Sequence, residues 1–336
     1  MALPTRILGS TGLEITVVGF GAWAAGGGGW SYGWGPQDDE ESVAAMVRAV
    51  EHGVNWIDTA AVYGLGHSEE VVARALGRVS REDRPLVFTK CGLETDSAQP
   101  MADPVRTLRP ESIRRECEAS LRRLRVDRID LYQCHWPDPG TPIEDAWAAM
   151  ARLQEDGKVR AIGVSNFDVP LLERCHGLRP VGSLQPPFSA IRRDSGRDVI
   201  PWCREHDVGV IVYSPMQAGL LTDAFSARRS ALLPPDDWRR RVPYFREPGL
   251  SANLALRDAL RPIAKRHGCS VAAVAVAWTL AWPGVTGAIV GARDAAQVDG
   301  WIGAAMLRLV PVDFEEIAAA IERTGAGSGP VRPAGP

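Results

Sequence analysis

The sequence predicts an α/β fold in which eight parallel strands alternate with helices and close into a (β/α)8 TIM barrel. Short apolar runs recur along the chain with little polar alternation, as is typical of parallel strands covered on both faces. Helical segments separate these runs, and eight such alternations favour a closed barrel over an open sheet. The predicted strands lie near residues 17–20, 55–58, 86–90, 131–135, 160–164, 183–186, 209–213 and 287–290.

The helices between the strands are predicted from apolar residues at helical spacing. Several begin with residues that favour a first turn: Ser68 precedes an acidic pair, Pro110 suits the first helical position, and Thr141 precedes a proline. The clearest amphipathic segments are residues 40–51, 69–76, 110–124, 142–155 and 200–205.

The length of 336 residues fits one large barrel, so residues 1–323 are predicted to form a single domain with some extra helices. A long loop rich in Arg and Pro, residues 215–251, follows the seventh strand, and loops of this length are usually lids or flexible segments. Residues 324–336 contain no apolar anchor and are predicted to be a disordered C-terminal tail.

Composition excludes several classes of function. The formal net charge of -3 indicates neither a nucleic-acid nor a polybasic membrane surface. No apolar run reaches the roughly 18 residues of a membrane helix, and the N-terminus lacks the apolar stretch of a signal peptide. The six cysteines are scattered without a Cys-x-x-Cys pair, which favours reduced thiols, a cytoplasmic location and no metal site.

Polar side chains stand where three predicted strands end. Asp58, Lys90 and His135 close strands two, three and four, and Tyr63 follows Asp58 by five residues. Strand ends of a parallel barrel converge on one rim, so these four groups are expected to meet there. A carboxylate, an ammonium, a phenol and an imidazole together would form a proton-donating site beside a carbonyl, as a reductase requires.

Each of these four residues also has an ordinary structural interpretation. Asp58 could cap a helix, Lys90 could form a salt bridge, Tyr63 could pack as an aromatic ring, and His135 could be a satisfied core histidine. Their joint occurrence at strand ends favours the catalytic hypothesis. A barrel hydrolase with paired carboxylates is disfavoured, because Asp58 has no acidic partner among the strand ends.

The motifs around these residues resemble the aldo-keto reductases over nearly the whole chain. The similarity is greatest to the bacterial branch that includes general-stress and inositol-catabolism reductases. The matching motifs are Ile57-Asp58-Thr59-Ala60 with Tyr63-Gly64, Phe88-Thr89-Lys90, Asp130-Leu131-Tyr132-Gln133-Cys134-His135-Trp136-Pro137, Gly163-Val164-Ser165-Asn166-Phe167, Tyr213-Ser214-Pro215 and Ile289-Val290-Gly291-Ala292.

The resemblance implies an NADP-dependent oxidoreductase that reduces aldehydes or ketones, including sugar-like carbonyls, to alcohols. Tyr63 would donate the proton, Lys90 would lower the pKa of this phenol, and Asp58 would keep Lys90 charged. His135 would be a neutral donor to the carbonyl oxygen. The alternative is a redox-sensing regulatory subunit that binds the cofactor and turns over slowly.

The resemblance also implies a nicotinamide cofactor extended across the rim, without a Rossmann domain. Arg293 would pair with a 2′-phosphate, which favours NADP(H) and leaves NAD(H) as the alternative. The chain departs from the family pattern at Gly300 and Trp301, where the adenine contacts are usually Glu and Asn. The implied cofactor-binding residues are Trp23, Ser165, Asn166, Gln185, Tyr213, Ser214, Gln217, Gly219, Leu220, Gly291, Arg293 and Gln297.

Aromatic residues near the first and fourth strand ends are candidates for the walls of the substrate pocket. Trp30 and Trp34 follow the glycine run at residues 26–29, which is interpreted as a mobile rim loop rather than a phosphate cradle, and Trp136 follows His135. Trp238 and its aromatic neighbours in the 215–251 loop could close as a lid. The exact substrate, the direction of reaction and the oligomeric state are left open.

Overall fold

The computed structural model describes residues 2–235 and 237–333, and within them eight parallel strands form a closed barrel. The barrel order is β3-β4-β5-β8-β9-β10-β11-β12, and β12 pairs with β3 to close it. All eight predicted strands are confirmed. In chain order the strands are β1 (Thr5–Ile7), β2 (Glu14–Thr16), β3 (Val18–Gly21), β4 (Trp56–Asp58), β5 (Leu86–Cys91), β6 (Leu93–Glu94), β7 (Val105–Arg106), β8 (Ile129–Cys134), β9 (Val159–Ser165), β10 (Ser183–Gln185), β11 (Gly209–Tyr213) and β12 (Gly287–Gly291).

Helices surround the barrel, and the five predicted helical segments are confirmed to within two residues at each end. The helix immediately before β12, Val271–Leu280, was not predicted. All ten of its residues are buried, and a helix that is apolar on every side has no amphipathic period. The helices are α1 (Asp39–Glu51), α2 (His67–Leu76), α3 (Pro110–Leu124), α4 (Ile143–Glu155), α5 (Val169–Leu178), α6 (Val199–Glu205), α7 (Ala227–Ala231), α8 (Gly249–Arg266), α9 (Val271–Leu280), α10 (Ala295–Trp301) and α11 (Pro311–Thr324).

An apolar layer fills the barrel at the N-terminal ends of its strands. The β1–β2 hairpin covers this end, and the indole Nε1 of Trp56 donates to the carbonyl oxygen of Thr16 at 2.8 Å. Gly19 is required beside this ring, since a Cβ there would lie 2.1 Å from Trp56. The closed lower end leaves the opposite rim, where the strands end, as the place for a polar site.

The long loop after β11, residues 215–251, is folded against the rim; we call it the insertion. Its described residues contain α7 and three short 3-10 turns, Gln217–Gly219, Trp238–Arg241 and Pro243–Phe245. The ring of Trp238 stacks on Trp23 with centroids 4.8 Å apart, which joins the insertion to the loop that follows β3.

The C-terminal segment differs from its prediction. Residues 326–330 pack against the loop after β10 instead of being disordered, and Ala326 is buried. The guanidinium of Arg193, 3% exposed, donates to the carbonyl oxygens of Ala326 and Pro330 at 3.1 Å each. The tail is anchored through its backbone carbonyl groups, and amino-acid composition does not reveal such contacts. Residues 334–336 lie outside the described residues.

Within the described ranges 2–235 and 237–333, no helix is both long enough and apolar enough to cross a bilayer. The same residues hold no group of three or more His, Cys, Asp or Glu side chains arranged to bind a metal ion.

The tail contact is testable through Arg193. Arg193→Met keeps an apolar stem but leaves buried carbonyl groups without a donor, which should lower the free energy of unfolding by about 2 kcal/mol. The tail should then be trimmed faster by carboxypeptidase than in the parent protein. Arg197→Met, on an exposed arginine of the same loop, is the matched control. Equal stability and equal trimming of both variants would contradict the anchoring role.

Candidate active site

The centre of the rim is an ion pair between the last residue of β4 and a residue near the end of β5. The ammonium Nζ of Lys90 lies 2.6 Å from Oδ1 of Asp58 and donates to the carbonyl oxygen of Thr59 at 2.8 Å. Both charged side chains are buried. Burial lowers the pKa of Lys90, while the charge of Asp58 and its hydrogen bond oppose that shift.

Tyr63 lies beside this pair in a short turn after β4. The Nζ of Lys90 is 5.2 Å from the centre of the Tyr63 ring. Burial, followed by the negative charge of Asp58, raises the pKa of Tyr63 well above its ordinary value near 10. The phenol is therefore protonated at neutral pH, and the effect of Lys90 on this pKa stays a prediction.

The turn that carries Tyr63 depends on a close approach between two loops. Gly64 has a φ of 60°, and a Cβ on it would lie 2.3 Å from the carbonyl oxygen of Gly26. The glycine run after β3 thus packs against the backbone of Tyr63. Its expected place on the rim is confirmed, and its contacts are with protein backbone.

His135, the first residue after β8, faces Tyr63 across the site. The two ring centroids are 5.7 Å apart, with the planes nearly perpendicular. Burial holds the pKa of His135 well below 6.5, and the positive charge of Lys90 acts in the same direction. The imidazole is therefore neutral near pH 7, as expected from the sequence, and can donate an N–H without adding a charge.

Amide and hydroxyl groups line the rim between β9 and β11. Nε2 of Gln185 donates to Oδ2 of Asp58 at 2.8 Å, which links this group to the ion pair. Nδ2 of Asn166 donates to the carbonyl oxygen of His135 at 3.0 Å, and the hydroxyl of Tyr213 donates to Oδ1 of Asn166 at 2.9 Å. Ser165 completes the network by donating to the carbonyl oxygen of Gln185 at 2.7 Å. Four predicted cofactor residues therefore form one connected surface.

Four of the predicted cofactor-binding residues, Ser214, Gln217, Gly219 and Leu220, occupy the turn after β11. Ser214, Gln217 and Gly219 have positive φ values of 58°, 45° and 98°, so the backbone bends sharply there. The side chain of Gln217 is buried and accepts a hydrogen bond from Ser189, while Leu220 is fully buried. Side chains of Gln217 and Leu220 thus support the turn from within.

An arginine-lined cleft of about 430 Å³ opens beside the end of β12, between Arg293 and the insertion. Nε of Arg293 donates to Oε1 of Gln37 at 2.6 Å, and this hydrogen bond holds the side chain of Arg293 in place. Burial, followed by the positive charges of Arg239 and Arg229, lowers the pKa of Arg293. This crowding of like charges suits an anion. The cleft is lined by Trp34, Gly35, Pro36, Ser226, Arg228, Arg229, Leu232, Leu233, Pro234, Asp237, Arg239 and Arg293.

Two other predicted cofactor residues lie at the same strand end. Gly291 is the exposed last residue of β12. Gln297 bonds to Asp294, the N-cap of α10, and accepts from the backbone N–H of Arg293 at 3.1 Å. Trp301, which replaces the usual Asn of the family motif, is 2% exposed and packs in the core. Gln297 therefore helps to shape the turn that carries Arg293.

Aromatic rings form a stack that runs from Tyr63 to the insertion. Trp23 stacks on Tyr63 with centroids 5.9 Å apart and on Trp238 at 4.8 Å. The Nε1 atoms of Trp34 and Trp238 are buried without a hydrogen-bond partner among the described residues. Trp34 meets both Trp23 and Trp238 edge-on, so these three rings form one cluster.

The other two predicted pocket residues have different neighbours. Trp30 is buried and approaches Tyr63, with centroids 6.3 Å apart. Trp136 is half-buried, and the guanidinium of Arg106 covers its ring at 4.8 Å. Trp30 therefore touches the candidate acid directly, while Trp136 lies next to His135 in the chain.

Sequence reasoning missed the contacts that connect the rim loops. The ring of Tyr32 lies under the guanidinium of Arg241, and its hydroxyl donates to Asp103 at 3.0 Å. Arg241 also donates to the carbonyl oxygen of Ser31. The loop after β3, the loop with Asp103 and the insertion therefore meet at Ser31 and Tyr32. In the sequence, the Arg-rich composition of the insertion is the signal that could have indicated such contacts.

Comparison with known proteins agrees with this geometry. A model described as the aldo/keto reductase family matches residues 17–322. The chain belongs to the aldo-keto reductase family. The family uses nicotinamide cofactors in carbonyl reduction, so the chain is an oxidoreductase with this general chemistry.

Relatives cover almost the whole chain. The aldo-keto reductase YhdN of Bacillus subtilis is 35% identical over 87% of this chain and 86% of its own length. An NADH-specific methylglyoxal reductase of Escherichia coli is 32% identical over 94% of this chain and 98% of its own. Among solved structures, a glycerol dehydrogenase from Gluconobacter oxydans has a TM-score of 0.86 and 37% identity, with coverage of 100% of this chain and 99% of its own.

The buried ion pair can be measured by a double-mutant cycle. Lys90→Met leaves the carboxylate of Asp58 buried without its cation, so we expect a loss of about 3 to 5 kcal/mol in the free energy of unfolding. Asp58→Asn combined with Lys90→Met should cost about 2 kcal/mol less than the sum of the single changes. Urea unfolding measures all three, and Lys265→Met is the control on an exposed lysine. Additive losses would show that the two charges are not coupled.

Proposed function

We propose that this protein is an NADP-dependent reductase of aldehydes and ketones, with Tyr63 as the proton donor. The observation that carries the proposal is the protonated, half-buried phenol beside a buried ammonium and a neutral imidazole. A carbonyl that gains a hydride on carbon needs a proton on oxygen. Tyr63 is the acid in this cluster, because Lys90 is held by Asp58 and His135 is neutral.

Lys90 would act at the moment when Tyr63 loses its proton. The ammonium has three N–H bonds, and Asp58 and Thr59 accept two of them. The third would stabilise the phenolate that remains after proton transfer. His135 would donate its N–H to the carbonyl oxygen and orient it toward Tyr63. Its neutrality avoids repulsion with Lys90.

The residues along the rim fit an extended nicotinamide dinucleotide. When bound, this cofactor supplies the hydride. Asn166 and Gln185 would hold the carboxamide, Tyr213 would lie against the ring, and the turn after β11 would contact the pyrophosphate. Trp23 would cover the nicotinamide ring on the side that faces Tyr63.

The arginine-lined cleft supports NADP(H) over NAD(H). A 2′-phosphate carries the negative charge that would relieve the repulsion among Arg293, Arg239 and Arg229. The methylglyoxal reductase relative is NADH-specific by its name, so the preference of this chain must be measured directly.

The substrates that fit this site are small polar carbonyl compounds, including sugar-like ones. Trp30 and Trp23 pack against the ring of Tyr63, and they would limit the size of a substrate that reaches it. Aromatic faces accept the C–H edges of a polyol-like carbonyl compound and exclude water from the reacting carbon. Trp34 and Trp136 would form the outer walls. The names of the glycerol dehydrogenase and methylglyoxal reductase relatives agree with small oxygenated substrates.

The regulatory alternative, a redox sensor with slow chemistry, is not favoured. The relatives named above are reductases and a dehydrogenase. Tight cofactor binding without oxidation of the reduced cofactor on a panel of small aldehydes would revive it.

The assignment of the acid is tested by Tyr63→Phe. Loss of the proton donor should lower kcat by about 10² to 10⁴-fold, while the dissociation constant of NADPH should change little, because the ring is kept. Stopped-flow kinetics and cofactor titration separate the two quantities. Tyr132→Phe is the control, since its buried hydroxyl has no partner among the described residues. A Tyr63 variant with parental kcat would refute the assignment.

The phosphate preference is tested by Arg293→Ala. We expect NADPH to bind about tenfold more weakly and NADH to bind nearly as before, because only NADPH carries the 2′-phosphate. The emission of the 11 tryptophans reports binding of both cofactors. Arg323→Ala, in the last turn of α11, is the control. Equal weakening for both cofactors would place Arg293 elsewhere than at the 2′-phosphate.

A further inference from the structure

Two polar residues at the start of α2 are buried beneath the candidate active site. Ser68 and Glu69 both have an exposed fraction of 0%. Oγ of Ser68 donates to the carbonyl oxygen of Ala22 at 2.7 Å and lies 2.8 Å from Oγ1 of Thr59. Through these bonds Ser68 ties α2 to the residues that follow β3 and β4.

Glu69 makes the corresponding connection to β5. Its Oε1 accepts a hydrogen bond of 2.6 Å from Oγ1 of Thr89, and its Oε2 accepts one of 2.6 Å from Nε of Arg123 on α3. A buried carboxylate is costly unless it is paired and hydrogen-bonded. Glu69 meets both conditions, with one oxygen directed at the barrel and the other at the outer helix.

Both hydrogen-bonded threonines, Thr59 and Thr89, are next to Lys90 in the structure. Thr89 is its neighbour on β5, and Thr59 supplies the carbonyl oxygen that accepts from its ammonium at 2.8 Å. The negative charge of Glu69 raises the pKa of Lys90, in the same direction as Asp58 and against the effect of burial.

We propose that Glu69 is a positioning residue for Lys90: together with Ser68 it fixes the ends of β4 and β5 against α2, and it places a second buried carboxylate behind the strand that carries the ammonium. The proposal rests on the proposed function of Lys90 as the cation beside Tyr63. Glu69 itself lies in the helical layer and touches neither substrate nor cofactor.

A purely structural role for Glu69 makes a different prediction. An ion pair that only fastens α2 to α3 would lower stability when either partner is changed, without moving the titration of Lys90 in opposite directions. In our proposal the sign depends on the charge removed. Loss of the carboxylate of Glu69 should lower the pKa of Lys90, and loss of the guanidinium of Arg123 should raise it, since Glu69 is then no longer neutralised.

Other charges around Lys90 and Glu69 remain the same in both variants. Asp58, Tyr63 and His135 face Lys90, and His135 is neutral throughout the alkaline range. On α3, Cys117 faces Glu69, and burial raises the pKa of this thiol to about 12, so it stays uncharged.

The experiment uses the small number of lysines in the chain. Only Lys90, Lys158 and Lys265 occur, so a protein labelled with ¹³C at lysine Cε gives three resonances, and Lys90→Met identifies the first. Titration of the full-length protein without cofactor yields the pKa of Lys90 directly. This readout requires no turnover.

Glu69→Gln keeps an acceptor for Thr89, and Arg123→Gln keeps a donor for Glu69, so both variants preserve shape. We expect the pKa of Lys90 to fall in the first and to rise in the second, each by on the order of half a pH unit. Glu118→Gln, which breaks the ion pair of α3 with Lys158, should leave the Lys90 resonance unchanged. Shifts of Lys90 in the same direction in both Glu69 and Arg123 variants, or no shift, would overturn the proposal.

Kinetic measurements distinguish a failure of this proposal from a failure of the proposed function. The alkaline limb of the kcat/KM profile should move to lower pH in Glu69→Gln and to higher pH in Arg123→Gln, while the dissociation constant of NADPH stays within about twofold. A parent protein without turnover would refute the reductase assignment but leave the NMR result intact. Opposite NMR shifts with an unmoved kinetic limb would instead show that Lys90 does not govern the reaction, and would overturn the positioning role.

Discussion

The buried ion pair of Lys90 and Asp58 is the constraint on which the rest of the site depends. Desolvation alone would favour a neutral amine, and a neutral amine could not stabilise a phenolate. Asp58 pairs with the ammonium, Thr59 accepts from it, and Gln185 occupies the other carboxylate oxygen. These bonds require three strands to end at the same height, which only a closed barrel with this register provides.

Charge is distributed unevenly along the rim. Near Tyr63 the ammonium of Lys90 is compensated by Asp58, and His135 is neutral, so these groups carry little net charge together. At the end of β12 the positive charges of Arg239 and Arg229 act on Arg293, and the negative charges of Asp237 and Glu41 oppose them only in part. A dinucleotide that spans the rim would place its nicotinamide ring, which is neutral in the reduced cofactor, at the first end and its phosphates at the second. The aromatic stack between the two ends lies along the path that would join them.

The sequence predicted the barrel and the four central residues because both depend on local patterns. A strand that is buried on both faces is apolar, so a polar residue at its end is conspicuous, as with Asp58 and Lys90. Ser68 was misinterpreted, because a serine before two glutamates has the pattern of an N-cap, whereas the structure turns its hydroxyl inward to Ala22 and Thr59. The orientation of a side chain at a helix start is decided by the neighbouring elements.

Local sequence thus determined the eight barrel strands, the polar residues at the ends of three of them, and the family resemblance. Tertiary structure decided which loops meet, since the contacts of Arg241 with Ser31 and of Arg193 with the C-terminal segment join residues more than a hundred positions apart. It also raised the pKa of Tyr63, through burial and through the charge of Asp58. Desolvation and long-range contacts exist only after the chain has folded, and for this reason no local pattern contains them.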